Sequence, residues 1–400
     1  MIARICWTAF AALVGLAGAT EASAQPVLPP PYSGSYQPQG VDEIGWWREM
    51  DEEESVLAQS DLVLRDEALN GYVRKVLCET VGQDRCNSVR IYIVRAPFFN
   101  ASMTANGTMR VFTGLLLRVR NEAELGMVLG HEFGHFENRH ILGQFKARRS
   151  GSDVLAWAAV LGSLAPSYDV VRTYRNLEFS IYGNLYRYGR DHEREADRLA
   201  IAYLNTSALR PQAASQMWES LMAEAEASAR SRGLKKPKFD AIAFAASHPP
   251  DAERAGYLAE LARADAASRD DGAVRYRAAI APWLGMLLDD QIKLNDFGAS
   301  EYLIDALAQG GWTAQLWHAR GELYRMRGSP RDLVNAAQFY AQAVALDPAL
   351  AEAHRGLGLS LLKTGQPGAG QTALRRYLEL KPDASDARMM RMMIPEGLQP

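Results

Sequence analysis

His131, Glu132 and His135 are the residues whose types and spacing most directly suggest chemistry. Four residues is just over one helical turn, so both imidazoles leave one face and can offer nitrogen to a single cation. Zinc suits imidazole and carboxylate donors and needs at least one further protein ligand. Glu132 stands beside the pair, where a carboxylate can take the proton of a water attacking a carbonyl. The chemistry implied is metal-assisted hydrolysis. The competing reading is an ordinary helix with two surface histidines. The apolar run LGMVLG just before His131 argues against it, because it places this helix in a core.

The third ligand has to come from elsewhere, since no H-x-x-G-x-x-H continuation follows. Residues 190–197 read RDHEREAD. Glu193 and Asp197 are four apart and share a helix face, so one can bind the ion while the other supports a ligand histidine from behind. Glu195 is the other candidate ligand, and a solvated charge run is the plain alternative. His192 falls on another face and is expected at the surface. His140, five residues beyond His135, stands off the ligand face and is at most a second-layer partner. His248 precedes Pro249-Pro250, which favours an extended backbone that can hold a side chain over a cleft. There it could donate to an oxyanion or simply cap a loop. His318 and His354 are expected to be structural or exposed.

Several elements must position these groups. Asn121 with Glu124 makes a capping box for a helix running through His140. Asp191 can cap a second helix through Leu204. Residues 153–188 read as mostly helical, and Ser247-His248-Pro249-Pro250 as a break. Upstream, an acidic helical stretch is expected from Ile44 to Leu77, and Val89–Val94 alternates as a strand. The runs 101–105 and 108–112 flank Asn106-Gly107, a hairpin signal in which both turn residues would take positive φ. Such a strand could pair with an extended substrate by edge addition.

The 400 residues are 48% hydrophobic and 23% charged, ordinary globular values that exclude a disordered or fibrous chain. The net charge of −3 does not suggest a nucleic-acid binder. Residues 1–24 read as a secretory signal ending in Ala22-Ser23-Ala24, and 25–43 as a flexible Pro-rich arm. In an exported chain Cys78 and Cys86 are expected to form a disulfide. No later run is long enough to span a membrane. The C-terminal third repeats, with Pro348 and Pro382 at equivalent places. Gly321, Tyr324, Ala336 and Tyr340, then Gly358, Leu361, Leu374 and Tyr377, fall at tetratricopeptide spacing.

HEFGHFENRH followed by YGRDHEREAD resembles the HtpX/Ste/Oma-type zinc peptidases, peptidase family forty-eight, over roughly residues 60–260. The export signal, Ser247-His248-Pro249 and the C-terminal repeats are similar to its BepA-like periplasmic branch. The resemblance implies a gluzincin-type fold and outer-membrane protein turnover or assembly. It places the zinc ligand at Glu193 rather than Glu195, puts Asp197 behind a ligand, and matches Arg190 to the family's arginine before this motif. Gly189 stands where the family usually has Ser. It also places the family's N-A motif on Asn100-Ala101 in the edge strand, and makes His248 a fourth zinc ligand in a closed resting site.

The expectation is therefore a mainly α protein with a small β-sheet. A zinc metallopeptidase domain spans 44–262 and a tetratricopeptide solenoid spans 263–400. One Zn2+ is held by His131, His135 and Glu193, with Glu132 as base and His248 as gate. Substrates would be misassembled envelope proteins, and the repeats would recruit them or contact outer-membrane assembly machinery. The alternative is a chaperone using the repeats over a closed or structural zinc site. The base Glu132 argues against it, because a structural site needs none.

Overall fold

The computed structural model describes residues 37–149, 189–240 and 251–394. The expected signal, most of the arm, the 153–188 stretch, the break at 247–250 and His248 lie outside them. What is described is mainly helical, with one three-stranded sheet.

Helix α1 (Gly40–Gln59) takes in the last residues of the expected arm. The acidic stretch is not one helix. Ser60 turns extended, and Val63 forms a bridge with Val94. Asp66 then starts α2 (Glu67–Val81) by accepting the Leu69 N–H at 2.8 Å. Residues 60–65 leave the helix because strand backbone offers partners, as in Leu64 N–H to Ile93 O at 2.8 Å. The short α3 (Gln83–Cys86) is tied to α2 by the Cys78–Cys86 disulfide.

Strands β1 (Arg90–Val94), β2 (Ala101–Met103) and β3 (Thr108–Phe112) lie in the order β1-β3-β2. β3 is parallel to β1 and antiparallel to β2, which leaves β2 at an edge. The hairpin lies where Asn106-Gly107 predicts it, but only Gly107 has positive φ, at 91°. Asn106 instead uses its side chain. It accepts from the Thr104 hydroxyl at 2.6 Å and donates to Asp51 of α1 at 2.8 Å.

After α4 (Thr113–Arg118), α5 (Glu122–Glu137) forms the centre of the core. All its residues except Glu132 and Glu137 are buried. Asn121 caps it through the Glu124 N–H at 2.7 Å, while the Glu124 carboxylate accepts from Arg120 N–H at 2.8 Å. Burial raises the Glu124 carboxyl to about 7. The helix does not run through His140. It stops at Glu137, turns at Asn138-Arg139 with Arg139 at φ 54°, and resumes as α6 (140–149). Helix α7 is described from 189 to 206, so Asp191 lies inside it and is no cap. α8 (Ala213–Ser231) and α9 (Asp251–Leu261) complete the wall.

Beyond 262 come α10 (Ala273–Ile280), α11 (Leu284–Ile292) and α12 (Phe297–Leu307). Two helix pairs follow, α13 (Ala314–Arg327) with α14 (Pro330–Leu346), and α15 (Ala351–Lys363) with α16 (Pro367–Leu380). The short α17 (Ala387–Met392) ends the described chain. Tyr340 is fully buried between α13 and α15, where Gly321 and Gly356 leave room for its ring. The expected division at 262/263 is not a break in packing, because one apolar core runs from Leu69 to Leu323. The buried Glu122 of α5 takes Arg275 of α10, and Tyr276 donates to Leu116 O at 2.5 Å.

Candidate metal centre

The site depends on how closely α5 and α7 approach. Gly126, Gly130 and Gly134 repeat every fourth residue along α5. A Cβ on Gly130 would lie 3.5 Å from the Ala200 Cα, and one on Gly134 would lie 3.2 Å from the Ala196 Cα. The small-residue seam lets the two backbones meet, which brings Glu193 beneath the two histidines.

His131 Nε2 lies 3.1 Å from His135 Nε2 and 3.4 Å from Glu193 Oε2, and His135 Nε2 lies 3.3 Å from Glu193 Oε1. A tetrahedral cation with arms of about 2.0–2.1 Å has ligand–ligand edges of about 3.3 Å. The three donors therefore stand at the spacing one such ion requires, and all three residues are buried. Two imidazole nitrogens and one carboxylate are a donor set that zinc accepts.

With both Nε2 atoms turned inward, each ring carries its proton on Nδ1. His131 Nδ1–H donates to Asp197 Oδ1 at 2.8 Å. Asp197, fully buried, also accepts from Arg254 Nε at 2.8 Å, from Arg254 Nη2 at 2.7 Å and from the Tyr257 hydroxyl. Burial opposes its charge, but Arg254 and His131 hold it well below the usual carboxylate range. At His131 burial opposes positive charge, and Asp197 with Glu193 outweighs it and raises the ring well above the ordinary imidazole value, so the pocket favours a positive charge at Nε2; a bound cation would take the place of that proton. Arg254 is held in turn by the Trp218 ring, 3.9 Å beneath its guanidinium.

His135 is oriented differently. Its Nδ1–H donates to His140 Nδ1 at 3.0 Å, and His140 Nε2–H donates to Glu195 Oε2 at 3.2 Å. Asn138 donates to the other Glu195 oxygen at 2.8 Å. Burial and the neighbouring His192 press His140 down to about 2, so it is neutral and can accept. The left-handed turn at Arg139 is what folds His140 back onto His135.

A cleft of about 440 Å3 opens over these groups. Glu132 lines it, and burial raises its carboxyl above the ordinary value, with His131 and His135 opposing. The rest of the lining is largely apolar, including Phe99, Met103, Met127, Met217 and Trp218. β2 forms one wall. Phe112 N–H bonds Asn100 O at 3.1 Å and Thr104 N–H bonds Thr108 O at 2.9 Å. Antiparallel alternation then turns the backbone N–H and C=O of Ala101 and Met103 away from β3.

The structure thus brings together His131, Glu132, His135, Glu193, Asp197 and His140, with Asn100 and Ala101 along the same cleft. Arg190 lies one turn before Glu193 on α7. Glu195 is outside the triangle, on Asn138 and His140. His192 corrects an expectation: it is 8% exposed, its ring stacked on His140 at 4.0 Å. Arg254, Tyr257 and Trp218 are missed by sequence reasoning. The one signal for them was the three-residue spacing of Arg254 and Tyr257 on one helix face after the Pro-Pro break.

Known proteins resemble the chain over this region. It is 31% identical to the metalloprotease YcaL of Escherichia coli, over 40% of this chain and 56% of that one. It is 30% identical to a beta-barrel assembly-enhancing protease of Yersinia pestis, over 32% of this chain and 28% of that one. It is 27% identical to the mitochondrial metalloendopeptidase OMA1 of Schizosaccharomyces pombe, over 46% of this chain and 50% of that one. The chain thus spans little more than half the length of these relatives at most. The sequence model of Peptidase family M48 matches residues 64–262, the segment that carries all the groups just placed around the cleft, and through it the chain belongs to that family.

Proposed function

We propose that the chain is a zinc-dependent endopeptidase of the bacterial envelope. The observation that carries this reading is the convergence of His131, His135 and Glu193 at tetrahedral spacing beneath a cleft that also holds Glu132. A zinc ion bound there would supply Lewis acidity for the scissile carbonyl and the attacking water. The protein's own residues do the rest. Asp197 and His140 fix the ring orientations of His131 and His135. Glu132, its carboxyl raised by burial, takes the proton of the attacking water and passes it to the leaving amine. Ala101 and Met103 align an extended substrate by adding it as a strand beside β2.

The finer parts of the reading rest on the sequence and on relatives. The leader-like start supports a periplasmic location. The names of the beta-barrel assembly-enhancing relatives support unassembled or misfolded outer-membrane proteins as substrates. Among the described residues no helix is long and apolar enough to cross a membrane. The helix pairs α13/α14 and α15/α16, followed by Pro348 and Pro382, support tetratricopeptide-like repeats that recruit substrate or assembly machinery. His248 would gate the site.

The test is metal analysis of the purified chain together with cleavage of an unfolded model protein. The reading requires about one zinc per chain, and cleavage that chelation stops and zinc restores. Cleavage untouched by chelation would contradict it.

A further inference from the structure

The C-terminal end of α8 carries a feature the peptidase reading does not use. Arg230, Arg232, Lys235, Lys236 and Lys238 fall in nine residues, and no Asp or Glu lies between 228 and 239, in a chain whose net charge is −3. All five are exposed. Arg232 and Lys236 are paired, with Asp296 at 2.7 Å and Glu226 at 2.8 Å. Arg230, Lys235 and Lys238 have no carboxylate within ion-pair distance among the described residues.

Leu234 stands in the middle of these cations. Gly233, at φ 66°, ends α8: its N–H bonds Arg230 O at 3.1 Å, and Leu234 N–H reaches back to Ala229 O at 2.9 Å. This pair of bonds is a Schellman cap, in which the residue after the glycine commonly packs back on the helix. Here that residue is 61% exposed. The cap therefore presents a leucine outward on defined backbone rather than on a loose loop. Ser228 and Arg232 both bond Asp296, which anchors this end of α8 to the base of α12.

We propose that residues 230–238 dock the protein on an anionic phospholipid surface, with Leu234 entering the headgroup layer and the lysines on lipid phosphates. An apolar tip beside five exposed cations, of which Arg230, Lys235 and Lys238 have no carboxylate partner among the described residues, fits a bilayer interface, where apolar burial and charge attraction act together. Trp218 of the cleft sits on the same α8, roughly 20 Å along the helix from this end. Docking would hold the cleft at a set distance from the membrane, within reach of chains arriving there. Lipid binding needs no bound metal, so this inference and the peptidase reading can fail separately.

The experiment is co-sedimentation of the full chain with vesicles of phosphatidylcholine alone, or mixed with phosphatidylglycerol in roughly a 7:3 ratio. Wild type should bind the anionic vesicles, bind the neutral ones far more weakly, and lose binding as salt rises. Lys235→Gln with Lys238→Gln should weaken binding about 25-fold, about fivefold per cation removed. Leu234→Ser should weaken it about tenfold. All variants share the same N-terminus, so any contribution from the first residues cancels. Circular dichroism and thermal unfolding, expected unchanged, confirm that each variant is folded whether or not the chain cleaves a substrate. Three outcomes overturn the proposal: no preference of wild type for anionic vesicles, variants that bind like wild type, or polyglutamate binding as tightly as vesicles with the same loss in Leu234→Ser, which would assign the patch to an acidic protein.

Discussion

Gly134 of α5 faces Ala196 of α7 so closely that a Cβ on Gly134 would lie 3.2 Å from the Ala196 Cα and 3.3 Å from its carbonyl oxygen. That contact sets the distance between the helix carrying His131 and His135 and the helix carrying Glu193. Backbone atoms cannot give way as a flexible side chain can, so Gly134→Val must part the helices. The expected cost is about 1–3 kcal/mol of stability, with weaker metal binding. Thermal unfolding and chelator competition read the two effects. Unchanged affinity would mean that helix spacing does not set the site.

Asp197 and Arg254 form a buried pair behind His131. Asp197→Asn keeps the shape but weakens the acceptor, and metal affinity should fall about 10–100-fold. Arg254→Leu leaves the Asp197 charge buried without its partner and should cost about 3–5 kcal/mol. In the double variant the charge is gone, so it should be more stable than Arg254→Leu alone. Equal destabilisation of the two, by denaturant unfolding, would show that the pair is not coupled.

Glu54 ties α1 to the sheet. It accepts from Arg90 at 2.5 Å, from Thr108 at 2.7 Å and from Tyr92 at 3.0 Å. The Arg90 hydrogen bond, with those of Thr108 and Tyr92, holds its carboxyl at about 2 against an ordinary 4.5. A folded value below the unfolded one means that the charged form stabilises the fold. The contribution is complete above about pH 4.5 and is lost as pH falls toward 2. Wild type should therefore lose more of its Tm between pH 6 and 3 than Glu54→Gln. Parallel curves would remove Glu54 from the acid response.

The placing of His131 and His135 on one buried face was legible because a four-residue spacing is a local property of a helix. The capping box at Asn121 and Glu124 and the place of the hairpin were legible for the same reason. The Glu193–Asp197 spacing already favoured Glu193 over Glu195, and the family pattern strengthened that choice; both lie on one helix, and the contact with α5 is what separates them. Arg254 and Tyr257 were not legible, because Asp197, which they bond, is about sixty residues away in sequence. His192 was misplaced because its burial depends on a turn at Asn138-Arg139 that the helical pattern hides. Asn106 was expected at positive φ, but a side-chain bond to Asp51 offered its turn another geometry.

His248, as the proposed gate, makes a directional prediction. If it closes the metal site at rest, His248→Ala should cleave an unfolded substrate faster than wild type. If it donates to an oxyanion instead, the same variant should lose about 100-fold or more in kcat. Steady-state kinetics decide between them, and a slower variant would end the gating proposal.

The central claim is that Glu132 acts as a base beside a metal held by His131, His135 and Glu193. Its most direct test is Glu132→Gln, measured for bound metal and for cleavage of an unfolded protein beside wild type. The account predicts wild-type metal content with cleavage reduced by about 100-fold or more. A Glu132→Gln protein that binds metal and cleaves at the wild-type rate would contradict it.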